Sequence, residues 1–166
     1  GMHFDTENGT LALGLEGGHH QKRILHAGGD ATGKMITNFV IDKVEHCQNV
    51  TVFDNHAAID LLIDEHGCYG VRCWDFNANR EEIFTGDNIF LTSGGASAIY
   101  KRTTNPHSTI GDGLALAYFA GCEIADMEFI QFHPSAIYTP TGEAYLVSEA
   151  VRGEGAHLLN QQGERF

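Results

Sequence analysis

Two segments in the last quarter of the chain hold most of the side chains that could do chemistry. Residues 128–134 read Glu-Phe-Ile-Gln-Phe-His-Pro, which places a histidine directly before a proline, in backbone biased toward extended or turn conformations. Residues 148–155 read Ser-Glu-Ala-Val-Arg-Gly-Glu-Gly and bring a hydroxyl, two carboxylates and a guanidinium together. Such groups suit a site for a polar ligand, and the same spacing suits a solvated loop, so both interpretations stay open.

A third segment could bind phosphate. Residues 28–34 read Gly-Gly-Asp-Ala-Thr-Gly-Lys and match G-x-x-x-x-G-K, between a possible strand and a helix. Met35 stands where such a loop needs a hydroxyl to hold magnesium, so a P-loop nucleotide-binding protein is a distant alternative. The dinucleotide fingerprint G-x-G-x-x-G begins at Gly111 and at Gly153, and its third glycine is missing both times.

Several motifs occur in series along the chain, at residues 16–19, 23–27, 30–33, 103–106, 111–113, 128–134 and 148–156. Their order resembles that of the L-aspartate oxidase family. The later motifs are shared with the flavoprotein subunits of succinate dehydrogenase and fumarate reductase, whereas Glu16 and residues 23–27 favour L-aspartate oxidase. The family's N-terminal glycine fingerprint, its proton-transferring arginine and its C-terminal flavin-contacting segment have no counterpart in the chain.

The resemblance implies FAD as the cofactor and an oxidoreductase as the whole protein. The implied reaction is oxidation of L-aspartate to iminoaspartate by hydride transfer to the flavin, in cytoplasmic NAD biosynthesis. A flavoprotein of the fumarate reductase or succinate dehydrogenase type, acting on fumarate, is the nearest alternative.

The resemblance also assigns roles to residues. Catalytic roles fall on Glu16, which would meet the substrate's ammonium, and on His133, which would hold a substrate carboxylate. Substrate contacts fall on Gln131, Ser148 and Glu149. Cofactor contacts fall on Ala57, Ala58, Ser93, Gly94, Gly95 and Asp112.

Composition excludes several other classes of function. The 166 residues carry 10 basic and 22 acidic side chains, a net charge of −12 that disfavours binding to nucleic acid or anionic membranes. No apolar run approaches the ~20 residues of a membrane span. The four cysteines form no C-x-x-C pair and are interpreted as reduced, mostly buried thiols, and His19-His20 as a surface pair, so no metal site is predicted.

Periodicity predicts the elements that position these residues. A short strand is expected at 24–27, then a helix from about Thr32, its N-cap, to near His46. Five short strands are expected at 50–53, 59–63, 71–76, 82–84 and 89–91, with hairpin turns at 66–67 and 77–79. A second helix is expected at 114–120, closed by Gly121, and a short third one near 148–152.

Together these features predict an α/β fold. We expect residues 1–127 to be part of an FAD-binding, Rossmann-like domain with an antiparallel β insertion, and residues 128–166 to begin an α+β capping domain. The chain is expected to be a central fragment whose partners include the missing parts of its own chain. The fragment alone is expected to be inactive, because it lacks the glycine loop that would hold the cofactor's pyrophosphate.

Overall fold

The structure is a computed structural model that describes residues 1–16 and 18–165. The chain divides into two compact units, each described by itself below. The first unit comprises Gly1–Thr51, Ser135–Ile137 and Leu146–Phe166, and the second comprises Val52–Pro134 and Tyr138–Tyr145. The domain boundary expected after residue 127 stays a prediction.

Two small hairpins and a helix organise the first unit. Strands β1 (Thr6–Glu7) and β2 (Thr10–Leu11) pair antiparallel around Asn8 and Gly9, whose positive φ angles of 51° and 79° form the tight turn. Strand β3 (Leu13–Gly14) pairs antiparallel with β4 (Ile24–Leu25), and helix α1 follows at Thr32–Glu45. The strand near residue 24 and the bounds of the first helix are confirmed.

The role predicted for Thr32 is wrong. The N-cap of α1 is Ala31, which makes no side-chain capping bond. Thr32 Oγ1 instead accepts a hydrogen bond of 3.1 Å from the backbone N–H of Ala27, whose side chain is buried. The hydroxyl therefore ties the helix start to the end of the preceding strand, because a buried N–H requires a partner there.

One antiparallel sheet dominates the second unit. It consists of β5 (His56–Asp64), β6 (Gly67–Asp75) and β7 (Arg80–Thr85), in the order β5-β6-β7. The central three of the five predicted strands and both hairpin turns are thus confirmed.

The outer two predicted strands are wrong, because residues 50–53 and 89–91 form no strand. A strand needs a neighbour for its N–H and C=O groups, and no strand among the described residues pairs with either segment. Most of their apolar side chains are left exposed, Phe90 by 85% and Val52 by 65%.

Helix α2 (Asp112–Phe119) lies against β5 and begins where two glycines allow close packing. Gly111 is its N-cap in the left-handed region, with φ 89°, and Gly113 is buried. A Cβ on Gly113 would collide with the side chain of Ser93. Gly121 follows the helix with φ 86°, as predicted for its C′ position.

The remaining elements are short. Strands β8 (Ala136–Tyr138) and β9 (Ala144–Leu146) pair with each other, and helix α3 spans Glu149–Gly153, as expected near residue 148. No helix among the described residues is both long enough and apolar enough to cross a membrane.

Two expectations about burial are wrong. All four cysteines are free, but only Cys73 is buried, while Cys47 and Cys122 are exposed. His20 is exposed as expected, but His19 is half-buried, and both of its ring nitrogens are shielded from solvent, with no hydrogen-bond partner among the described residues. Neither feature can be read from local sequence, since burial depends on what packs around a residue.

We predict that Gly113→Ala destabilises the whole protein by about 1–3 kcal/mol, because the added methyl overpacks the contact with Ser93. Urea unfolding of the variant measures the change. The matched control is Gly33→Ala in α1, where a Cβ would meet nothing within 4 Å. That variant should gain up to about 1 kcal/mol from helix propensity. Equal effects of the two variants would contradict the packing at Gly113.

Candidate active-site cavity and cofactor segments

The first unit contains an open cavity of about 620 Å³. Its polar lining residues are Asp5, Glu7, Glu16, His26, Asp30, Thr32 and Ser148. Among the described residues that line it, four are carboxylates and none is Lys or Arg. The cavity therefore has a negative potential that favours a cationic group.

Asp5 fixes the turn at one side of this cavity. Its carboxylate oxygens accept hydrogen bonds from the backbone N–H groups of Gly28 (2.9 Å) and Gly29 (2.8 Å). Both glycines have φ 67°, a conformation that costs glycine little. The N–H groups of Gly29 and Gly28 stabilise the charged carboxylate and hold the pKa of Asp5 below its usual value.

The same contacts argue against the P-loop alternative. A phosphate-binding loop directs its backbone N–H groups at the ligand. Here the N–H groups of Gly28 and Gly29 are already donated to Asp5, and that of Ala27 to Thr32. The loop of residues 28–34 thus binds an anion supplied by its own chain.

Close packing of α3 explains why Glu16 and Ser148 line one cavity although 132 positions separate them. A Cβ on Gly153 would collide with the carbonyl of Leu15 and would lie 3.1 Å from the Cα of Glu16. Glycine at 153 therefore lets the helix lie directly on the backbone that carries Glu16. The structure brings together these two predicted site residues.

Ser148 and Glu149 begin α3. Ser148 is the N-cap, and its Oγ accepts a hydrogen bond of 3.3 Å from the N–H of Ala150. Glu149 occupies the first turn and pairs with Arg152, one turn later, at 2.6 Å. The Glu149 carboxylate thereby orients a guanidinium, a group that can donate to an anion.

The predicted cofactor contacts all lie in the second unit. Ala57 and Ala58 are in β5. Ser93, Gly94 and Gly95 form an exposed segment without regular structure, and Asp112 is the first residue of α2. The Ser93 side chain lies against Gly113, so the segment 93–95 and the start of α2 are adjacent.

This arrangement fits a nucleotide cofactor. Gly94 has φ 79°, and a Cβ on Gly94 or Gly95 would meet nothing within 4 Å. The backbone there is open on one side, so a ligand can approach it closely. The adjacent N-terminus of α2 has backbone N–H groups that receive no partner within the helix, and these favour an electron-rich ligand.

Gln131 and His133 also belong to the second unit, in a segment without regular structure. Gln131 is exposed and His133 is half-buried. Phe132 between them anchors the segment by an edge-on contact with Tyr100, with ring centroids 5.1 Å apart. Their substrate contacts stay predictions.

Two residues of the first unit were given no role on the basis of the sequence alone. Arg152 could have been found, because its spacing of three from Glu149 places both on one helix face. Asp5 could not, since its partners lie 23 and 24 residues away and no local pattern connects them.

Comparison with known proteins identifies the family. The family model described as an FAD binding domain matches residues 1–166. The chain belongs to this FAD-binding family. FAD is therefore its cofactor, as the sequence predicted.

Curated relatives agree with the resemblance seen in the motifs. The chain is 45% identical over 160 residues to L-aspartate oxidase 1 of Ralstonia nicotianae, covering 93% of this chain and 30% of that protein. It is 41% identical over 168 residues to L-aspartate oxidase of Acinetobacter baylyi, covering 96% and 31%. The chain thus spans about 30% of the length of these relatives.

Solved structures confirm the predicted fold class. A structure of E. coli quinol fumarate reductase matches with a TM-score of 0.86 and 25% identity, over 97% of this chain and 27% of that one. A quinol-fumarate reductase with menaquinol matches with a TM-score of 0.87 and 27% identity, over the same shares. The described helices and antiparallel sheets are thus part of a flavoprotein α/β domain.

We predict that Asp5→Asn destabilises this flavoprotein at pH 7, because an amide cannot accept both glycine N–H groups. Since the folded-state pKa of Asp5 is lowered, its stabilisation is present above the ordinary pKa of about 3.9 and disappears as the pH falls through the lower folded value. The difference between wild type and variant should therefore shrink toward acidic pH. Thermal melts from pH 7 down to about pH 3 measure it.

The matched control is Asp30→Asn, at the exposed end of the same turn. This variant should melt close to wild type at every pH. A difference between wild type and Asp5→Asn that is independent of pH would contradict the role given to the Asp5 charge.

Proposed function

We propose that the whole protein oxidises L-aspartate to iminoaspartate. The observation that carries the proposal is that Glu16, the residue matched to the substrate's ammonium, lines the same acidic cavity as Ser148. The curated relatives named L-aspartate oxidase support it. FAD, when bound, supplies the acceptor for the hydride.

Charge gives the cavity its selectivity for an amino acid. L-aspartate carries two carboxylates and one ammonium, and only the ammonium is attracted by a lining of carboxylates. The charge of Asp5 is already engaged by two backbone N–H groups. Glu16 is therefore the carboxylate that we assign to the ammonium.

The substrate carboxylates need hydrogen-bond donors. Ser148 uses its oxygen to accept from Ala150, which leaves its O–H free to donate. Glu149 carries a negative charge and cannot bind a carboxylate directly, so we assign it the role of orienting the Arg152 guanidinium. His133 and Gln131 are proposed as further contacts on the strength of the resemblance.

The second unit is proposed to hold FAD. Ala57 and Ala58 would contact the cofactor through their backbone, and Gly94 and Gly95 would let it approach the chain. Asp112 would accept hydrogen bonds from the cofactor, because a carboxylate repels phosphate. These contacts bind and orient the cofactor, whose own chemistry is redox.

A flavoprotein that reduces fumarate is the second candidate. The high structural similarity to quinol fumarate reductases favours it. Fumarate offers only negative charge to the cavity, so the lining of carboxylates favours aspartate instead.

For the aspartate reaction we further propose a cytoplasmic location and a role in NAD biosynthesis.

Glu16→Gln should separate the two candidates. The variant keeps the shape of the side chain and removes its charge, so kcat/KM for aspartate oxidation should fall by roughly tenfold to a hundredfold. Fumarate reduction should stay constant or improve, because a repulsion is lost. Both kcat/KM values are measured on the whole holoenzyme in one buffer.

The control for this experiment is Glu7→Gln, the same change at another carboxylate that lines the cavity, on the exposed strand β1. This variant should change kcat/KM for aspartate by less than about threefold, because solvent and salt screen an exposed charge. If both activities of Glu16→Gln drop together, or if neither changes, Glu16 does not bind the ammonium.

Ser148→Gly tests whether the Ser148 hydroxyl binds substrate, because glycine removes the hydroxyl and is still tolerated at the helix N-cap. Glycine at an N-cap costs only a few tenths of a kcal/mol, whereas alanine costs about 1 kcal/mol. Ser148→Gly should therefore melt close to wild type while kcat/KM for aspartate falls by roughly tenfold or more. Ser148→Ala should show the same kinetic loss and a lower melting temperature. An unchanged kcat/KM in Ser148→Gly would mean that Ser148 only caps α3 and does not bind substrate.

A further inference from the structure

The antiparallel sheet of the second unit carries a side-chain cluster that the proposed function does not use. It consists of His56 at the start of β5, Asp75 at the end of β6 and Glu82 within β7. Among the described residues, these three offer one ligand atom each, all within 4.8 Å of one another. We propose that this cluster binds a divalent transition-metal cation such as Zn²⁺.

Strand register places the three side chains on one face. His56 is the direct partner of Asp75, and Asp75 is the direct partner of Arg80. Glu82 stands two residues after Arg80 and therefore points to the same face of the sheet. Residues 56, 75 and 82 lie on three different strands and form no compact ligand spacing, which is why the sequence showed no metal motif.

Each ligand candidate is held by a partner outside the cluster. His56 Nδ1 lies 2.7 Å from the carbonyl oxygen of Asp54, which can only accept a hydrogen bond, so Nδ1 carries the proton. In the neutral ring, Nε2 is then a bare lone pair. A ring N–H donated to a backbone carbonyl is the usual outer contact of a metal-binding histidine.

The two carboxylates are oriented in the same way. Asp75 Oδ1 accepts from the backbone N–H groups of Asn77 (2.8 Å) and Ala78 (3.1 Å), and Glu82 Oε1 accepts from Arg80. Each carboxylate therefore turns its second oxygen, Oδ2 or Oε2, toward the imidazole. The Arg80 guanidinium is well exposed, so solvent screens its charge.

The distances fit a small cation. His56 Nε2 lies 3.3 Å from Glu82 Oε2 and 3.9 Å from Asp75 Oδ2. Ligand atoms bound to zinc at about 2.0–2.2 Å in a tetrahedron stand roughly 3.3–3.6 Å apart. Small movements of the three side chains would therefore complete a tetrahedral coordination shell, with a water molecule as the fourth ligand.

The surroundings favour retention of a metal. The side chains of His56, Asp75 and Glu82 are only 12%, 10% and 23% exposed. Phe53 and Phe84 contact the imidazole edge-on, with ring centroids 5.6 and 5.9 Å away. An imidazole donor selects zinc and similar metals over magnesium and calcium, which prefer oxygen ligands alone. The metal would join all three strands at one end of the sheet.

The experiment uses the whole protein after removal of metals with a chelator. Zn²⁺ is added in slight excess, unbound metal is removed by gel filtration, and bound zinc is counted by mass spectrometry. Melting temperatures are recorded with and without Zn²⁺. The wild type should retain about one zinc per chain more than His56→Gln or Glu82→Gln, and Zn²⁺ should raise its melting temperature by several degrees, because a ligand of the folded state stabilises it.

Two controls match the variants. Glu81→Gln is the same substitution one residue away on β7, on the opposite face, and His46→Gln changes an exposed histidine at the end of α1. Both should bind zinc like the wild type. If His56→Gln does not fold, Glu82→Gln gives the answer alone, because the amide keeps the size of the side chain.

Three outcomes would overturn the proposal. Equal zinc content in the wild type and both cluster variants would place any bound zinc elsewhere. A second contrary result is that the wild type retains no zinc and that His56→Gln lowers the melting temperature equally with and without Zn²⁺. The cluster would then be only an ion pair between an imidazolium and two carboxylates. An equal rise in melting temperature with Mg²⁺ would exclude a transition-metal site.

Discussion

The first unit depends on one interaction, the acceptance of two glycine N–H groups by the carboxylate of Asp5. A turn in which Gly28 and Gly29 both have positive φ leaves two adjacent N–H groups pointing the same way, and such a pair requires an anion or water. Because the Asp5 carboxylate supplies that anion, both N–H groups of the turn are bound by the chain itself and need no ligand. Helix α1 then starts at a fixed place, and one wall of the acidic cavity is formed.

Close approach at glycines provides the remaining constraints. Gly153 lets α3 lie on the backbone at Leu15, and Gly113 lets α2 begin against Ser93. In each case a methyl group would separate two segments that carry proposed site residues. Glycine is needed at 113 and 153 because a side chain would not fit there. At Gly94 there is open space, and glycine is favoured because the backbone has φ 79°.

Little of the apolar surface is buried within the described residues. The buried apolar side chains there are Ala27, Cys73 and Ala96, while Phe119 and Phe129 are 80% and 77% exposed. The chain spans about 30% of the length of its curated relatives. Surface of this kind is consistent with the larger fold of those relatives, because a segment of this size can contribute only part of a shared core.

The sequence by itself determined the helices, the three-stranded hairpin sheet, the flavoprotein family and the cofactor. Helix period, strand alternation and turn glycines are local signals, and motifs in series identify a family without any knowledge of contacts. Only the tertiary structure decided that residues 50–53 and 89–91 are not strands, that Thr32 bonds Ala27 and that Asp5 occupies the loop of residues 28–34. It also brought His56, Asp75 and Glu82 to one point. The reason is that pairing and long-range hydrogen bonds depend on partners distant in sequence, which no local pattern encodes.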